Sequence, residues 1–237
     1  MRLGMRATGS ALAQVATHFS ASLLANLVAF VLSLPLFLAI GILAFGTRSY
    51  SLIPLGVALL IGVLPNPCTA GVHAVANGLA SDGYTSASEH WRGLRRYARP
   101  AAVAWLLSVL VSAVIVGNLA FYAHAGGSAQ GALRILAAPL FCLWLLMFVS
   151  WLALHVYVFP LLMQQERTSV ALAYRNAALM AMTRPAVLIV VLPIWLFVLV
   201  LSSATGLATF IGIALGASIQ HQVTVRLLPT FERPAAA

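Results

Sequence analysis

Lysine is absent from this chain of 237 residues, and the only acidic residues are Asp82, Glu89, Glu166 and Glu232. All 13 basic side chains are therefore arginine, a bias that a GC-rich genome explains, since arginine and alanine codons are both GC-rich. So few acids leave no carboxylate pair suited to acid–base catalysis. None of the four falls within an apolar run, so the usual proton- or sodium-coupling group of a secondary transporter is missing. There is no Walker P-loop, nucleophile elbow or HExxH motif, so neither ATP hydrolysis nor another enzymatic activity is expected. Cys68 and Cys142 are the only cysteines and lack CxxC spacing, which excludes a disulfide framework and a zinc site. No cofactor is expected. Charged residues are only 7% of the chain, where a soluble domain carries about 25%.

What fills the chain instead is apolar: 62% hydrophobic residues and a mean hydropathy of +1.01. Apolar runs of about 18 or more residues recur, each long enough for a hydrocarbon core of ~30 Å. The reading is an all-α, polytopic transmembrane helical bundle forming a single domain over residues 1–237. The first apolar run starts near Leu23, so it reads as a retained span rather than a signal peptide. Spans are expected at about 23–45, 53–79, 101–123 and 134–160, and the last apolar block, 186–219, divides at "SSATG" into 185–203 and 205–223. A single helix over that block would be about 51 Å long, too much for the bilayer core.

The arginines set the orientation. Arg92, Arg95, Arg96 and Arg99 crowd the loop after the second span and mark it as cytoplasmic. Alternation through six spans then places Arg2, Arg6, Arg167, Arg175, Arg184, Arg226 and Arg233 on the same side, with only Arg48 and Arg134 opposite. Both termini are thus expected in the cytoplasm, in an inner, multi-pass location. Arginines in short loops beside spans serve topology and anionic headgroups, not a nucleic acid.

Both large inner loops, 80–100 and 161–184, read as amphipathic helices. Ser86 and Glu89 stand at capping-box spacing, followed by Trp91, Leu94 and Ala98 at i, i+3, i+7. Thr168 is a candidate N-cap for the second helix. Each suits interfacial anchoring, docking of a partner, or simple solvation, and Trp91, Arg92, Arg95, Arg96, Tyr174 and Arg175 are the candidate docking residues. A parallel repeat is also readable. His73 leads to Trp91-Arg92 and Arg99-Pro100-Ala101, as His155 leads to Tyr174-Arg175 and Arg184-Pro185-Ala186. Any symmetry axis would lie along the membrane normal.

"LPNPCTAGVHAVANG", residues 64–78, interrupts the second span. Two prolines remove two backbone donors, so a half-helix is expected to stop near Leu64, with Asn66 capping a second that starts at Pro67. Asn66, Thr69, His73 and Asn77 then form a polar stripe about 80° wide, expected to face other helices rather than lipid. Two uses remain open. The stripe lines a substrate path, with unpaired N–H groups at the half-helix start, or it is a kink satisfied by neighbours such as Asn118, Ser150 or His155. His73, His155 and His221 fall near one depth, where facing imidazoles could hold haem or a metal, or hydrogen-bond across helices.

"NLVAFVLSLP", "LPNPCTAGVHAVANGLASDGYTSASEHWRGLRRY" and "YVFPLLMQQERTSVALAYRNAALM" resemble the YesL-like family of bacterial integral membrane proteins of unknown function. The shared features are Pro67, Thr69 with Gly71, then Trp91-Arg92-Gly93. The loop "RSYSLIP" and the last apolar block depart from the family's shorter members. The resemblance implies no catalytic or binding residues. It does imply an accessory or permease-like role beside carbohydrate uptake, with the lipid bilayer and transporter subunits or a second copy as partners.

Overall fold

The computed structural model describes residues 2–46, 66–128, 131–166, 168–205 and 212–229. Among them, every regular element is helical. In chain order these are α1 (Arg2–Thr17), α2 (Phe19–Gly46), a 3₁₀ turn (Pro67–Thr69), α3 (Ala70–Asp82), α4 (Ala87–Ser128), α5 (Ala132–Gln164), α6 (Val170–Thr183), α7 (Pro185–Thr205) and α8 (Gly212–Leu227).

The all-α architecture holds among the described residues and includes helices long and apolar enough to cross a membrane, but six spans are not supported. Among the described residues, Ala87–His124 and Ile135–Gln164 are the helices long and apolar enough to cross a bilayer, and the number rises to at most four if each of two bent helix pairs counts as one span. Residues 53–65 of the expected second span lie outside the described residues, as does the "SSATG" joint beyond Thr205. The expected sixth span meets α8, a helix of 16 residues and so only about 24 Å long. Twelve of its residues are buried, including Ser218, Gln220, His221, Gln222 and Thr224. That polarity suits the centre of a bundle, and α8 indeed packs against α1, α2, α3, α5 and α7.

The two loop helices differ from each other. Residues 87–100 do not form a separate surface helix but run without a break into the following span, with Pro100 inside α4. The buried seam is His90, Gly93, Tyr97, Ala101, Ala104 and Ser108, so the expected apolar line Trp91–Leu94–Ala98 lies one residue to the side and Trp91 is exposed. That seam carries the helix through the proline by packing Tyr97, Ala101 and Ala104 with Ala70 of α3 and Phe159 and Met163 of α5. At the other copy of the motif, Arg184 leaves helical geometry (φ −132°, ψ 52°), the α region being disfavoured before proline, and α6 meets α7 at 110°. The two halves of the repeat therefore share residues but not conformation. A third helix is amphipathic too: α1 turns by 92° into α2.

Small residues let α3 approach α4 closely. A Cβ placed on Gly71 would lie 2.6 Å from the His90 ring, and one on Gly93 would collide with the Cβ of Ala74. Gly93→Ala should therefore destabilise the bundle by about 1–3 kcal/mol through overpacking. Adding Ala74→Gly should restore most of the loss, as read from the thermal midpoint in detergent. A Gly93→Ala protein as stable as the parent would show that the crossing is looser than described.

Candidate functional site

The start of the 3₁₀ turn and α3 is built as the local sequence predicts. Asn66 is extended (φ −114°, ψ 170°) and Pro67 takes the first helical position, where its missing N–H costs nothing. The Asn66 Oδ1 accepts from the N–H groups of Cys68 (2.9 Å) and Thr69 (3.2 Å). In return the Asn66 N–H donates to Thr69 Oγ1 (3.0 Å), and that hydroxyl donates to Asn66 O (2.9 Å). This reciprocal cap satisfies the first-turn donors internally, so the turn does not offer the unpaired N–H groups that a substrate path would use. Leu64 and Pro65, where the preceding half-helix was expected to stop, lie outside the described residues.

Asn66, Thr69 and His73 are buried and Asn77 is half-buried. Asn66 and Thr69 bond within the cap, and the partners of His73 and Asn77 come mainly from α5 and α8. His73 Nδ1 lies 3.3 Å from His221 Nε2, and His221 Nδ1 lies 3.2 Å from Asn77 Oδ1. Gln164 Nε2 donates to the same Asn77 oxygen at 2.7 Å and approaches Ser81 Oγ at 3.4 Å. With Asn77 presenting its carbonyl, His221 must carry its proton on Nδ1. Its Nε2 then accepts from His73 Nδ1–H. The His73 ring packs on Phe159 with centroids 4.5 Å apart.

His155 belongs to an adjoining group on α4, α5 and α6. Its Nδ1 donates to Trp151 O (2.8 Å), which leaves Nε2 to accept from Ser108 Oγ (2.7 Å). The Tyr174 hydroxyl donates to Ser108 Oγ at 2.8 Å, and the tyrosine ring stacks on Trp151 at an interplanar angle of 3°. Trp151 Nε1 in turn donates to Ser112 Oγ. Gln220, next to His221, donates to His155 O at 3.0 Å and so joins the two groups. Of the neighbours anticipated for the stripe, Asn118 is half-buried and bonds within its own helix, to Val114 O, and Ser150 is exposed.

A third set ties α1 across the end of the bundle. Gln14 donates to Leu79 O (2.6 Å), Gln222 donates to Gln14 Oε1, and Arg226 donates to Gln222 Oε1 and Ser10 Oγ. With Gln164 on Ser81 and His18 edge-on to Tyr84, these bonds gather α1, the α3–α4 turn and the ends of α5 and α8 at one end. Of the described arginines, Arg92, Arg95, Arg96, Arg99 and Arg226 lie on the segments of α4 and α8 toward that end. Trp91, Arg92, Arg95 and Arg96 are exposed there, with Arg92 paired to Glu89 and the Arg96 guanidinium 5.2 Å from the Tyr97 ring centre. On α6, Arg175 is exposed, whereas Tyr174 turns inward to Ser108.

Sequence reasoning missed the amides Gln14, Gln164, Gln220 and Gln222. The available signal was "SIQHQVT", which puts polar groups on every side of one helix turn and so requires a central position. Chemically the His73–His221–Asn77–Gln164 group is neutral and paired with itself, whereas Asn66 Nδ2, both His90 ring nitrogens and the Tyr157 hydroxyl are buried without a hydrogen-bond partner. Among the described residues no group of three or more His, Cys, Asp or Glu could hold a metal ion. Two axial imidazoles on one iron would stand about 4 Å apart, twice a metal–nitrogen bond of ~2 Å. The His73–His221 separation of 3.3 Å is a direct hydrogen bond with no room for a haem plane between the rings. No family model, curated protein or solved structure matches the chain.

Proposed function

We propose that this is a non-enzymatic, multi-pass protein of the bacterial inner membrane, related to the YesL-like proteins, that serves a transport system as an accessory subunit. On this reading the arginine-rich end faces the cytoplasm, in keeping with the positive-inside rule, and there it docks the partner. One observation carries the reading. Trp91, Arg92, Arg95, Arg96 and Arg99 all stand exposed on the first turns of α4, the part of that helix that extends beyond its apolar stretch. Aromatic and arginine side chains on a rigid helix are the residue types that dominate protein interfaces. Within the stripe, by contrast, Thr69, His73, Asn77 and the Asn66 carbonyl are bonded inside the bundle, which supports a structural role over a substrate path, and among its polar side-chain atoms Asn66 Nδ2 is buried without a partner. The spacing of His73 and His221 weighs against the competing haem-binding reading.

The test is site-specific photocrosslinking in native membranes. A crosslinker at Arg95 should trap a transporter subunit, and one at Leu110, on the exposed apolar part of the same helix, should not. Arg92→Glu with Arg96→Glu should abolish the Arg95 adduct without changing the protein's level in the membrane. No adduct from Arg95, with a Soret band in the purified protein, would move the assignment to the haem reading.

A further inference from the structure

α1 carries no run of apolar residues, yet its placement assigns it a partner. The seam Gly4, Ala7, Ala11 and Val15 is buried against α7 and α8, and a Cβ on Gly4 would sit 3.2 Å from Val191. Ser10 and Gln14, beside that seam, are bonded to Arg226, Gln222 and Leu79 O. Seam and polar ties together fix the roll of the helix about its own axis, so its outward face is a determined one. On that face Met5 and Leu12, seven residues and hence two turns apart, are 55% and 53% exposed. Arg2 and Arg6 are exposed alongside them, about 60–100° further round at ~100° per residue.

The direction of the helix says what meets this face. α1 stands at 92° to the apolar α2, so with α2 along the membrane normal α1 lies in the plane of a leaflet. The exposed apolar residues continue in chain order around the bend, through Phe19 to Leu24, Leu27 and Val31 on the outside of α2. α1 itself contains two arginines and no acid. An apolar line that turns a right angle, edged by cations on its in-plane arm, complements an anionic lipid leaflet from headgroups to acyl chains.

We propose that α1 is an interfacial helix seated on anionic lipid, with Met5 and Leu12 directed toward the acyl chains and Arg2 and Arg6 against headgroup phosphates. This is independent of the docking role assigned to α4. The test uses the full chain with Cys68→Ser and Cys142→Ser, reconstituted in vesicles of phosphatidylcholine with or without phosphatidylglycerol. Nitroxide labels go at residues 5, 6, 12 and 13, with one at 110 as a lipid-facing control that also reports a folded bundle. Relative access of oxygen over a water-soluble nickel chelate should be severalfold higher at 5 and 12 than at 6 and 13. Phosphatidylglycerol should widen that difference, and Arg2→Gln with Arg6→Gln should remove the widening. Equal chelate access at all four α1 positions would place the face in water. Exclusion of both reagents at 5 and 12 would place it under protein, and identical values in the two vesicle types would remove the headgroup contact. Each of those results would overturn the proposal.

Discussion

His221→Leu should lower the stability of the bundle by about 2–4 kcal/mol, because it leaves one buried donor without an acceptor. His73 Nδ1–H has His221 Nε2 as its partner, and at 3% exposure it cannot turn to water. The orphaned group costs about 1–3 kcal/mol, and loss of the hydrogen bond to Asn77 adds about 1 kcal/mol. Asn77 Oδ1 is not itself stranded, since Gln164 still donates to it. Hydrogen bonds between helices of membrane bundles average only about 0.6 kcal/mol by double-mutant cycles. That figure describes the net worth of an intact pair, and the penalty here comes from breaking one side of it. Adding His73→Phe, which replaces the second imidazole by an apolar ring, should therefore recover much of the loss. Thermal unfolding of the parent, both single variants and the double variant in one detergent closes the cycle. Strictly additive losses would mean that the two histidines do not form a pair.

The features that could be read from the sequence are those whose chemistry is local. Asn66 capping Pro67 follows from the two residues and the backbone groups beside them, and so does the inward turn of Thr69 and His73. The pairing of His73 with His221 joins residues 148 apart in the chain, and no periodicity in either helix encodes it. Hydropathy also misjudged α8. The block 186–219 is apolar enough to suggest two spans, but the second of them, 205–223, takes in Gln220, His221 and Gln222. Those residues are tolerable only in a helix surrounded by others, which is where α8 lies. α1 escaped notice for the opposite reason. Its buried seam is made of Gly4, Ala7 and Ala11, residues too small to register as a hydrophobic stripe although their spacing of three and four is helical. Pro100 shows the limit of punctuation by proline. The same Arg-Pro-Ala that ends α6 is carried through inside α4, because packing on two sides outweighs the one hydrogen bond that proline removes.

Trp195→Ala should have the largest effect of any single truncation, about 3–5 kcal/mol. Trp195 is 2% exposed and is the bulkiest fully enclosed side chain of α7, packed in the cluster that joins α1, α5, α6, α7 and α8. Its indole lies against Gly216 of α8, where a Cβ would stand 3.5 Å from Nε1. The loss has two parts, the transfer of a large aromatic surface and the cavity left behind. The cavity part is severe here because both neighbours are constrained. α7 is held by the bend at Arg184, and α8 is held by the bonds of Gln220, His221 and Gln222. Neither helix can slide to fill the space without breaking buried polar pairs. Trp195→Phe keeps most of the volume and should cost less than half as much. The measurement is the fraction of protein that stays monodisperse after heating in detergent, compared with the Arg92→Glu, Arg96→Glu variant as a surface control. That control should melt with the parent, because exposed arginines contribute little to stability. Trp195→Ala melting with the parent as well would mean that α7 and α8 do not share the core described.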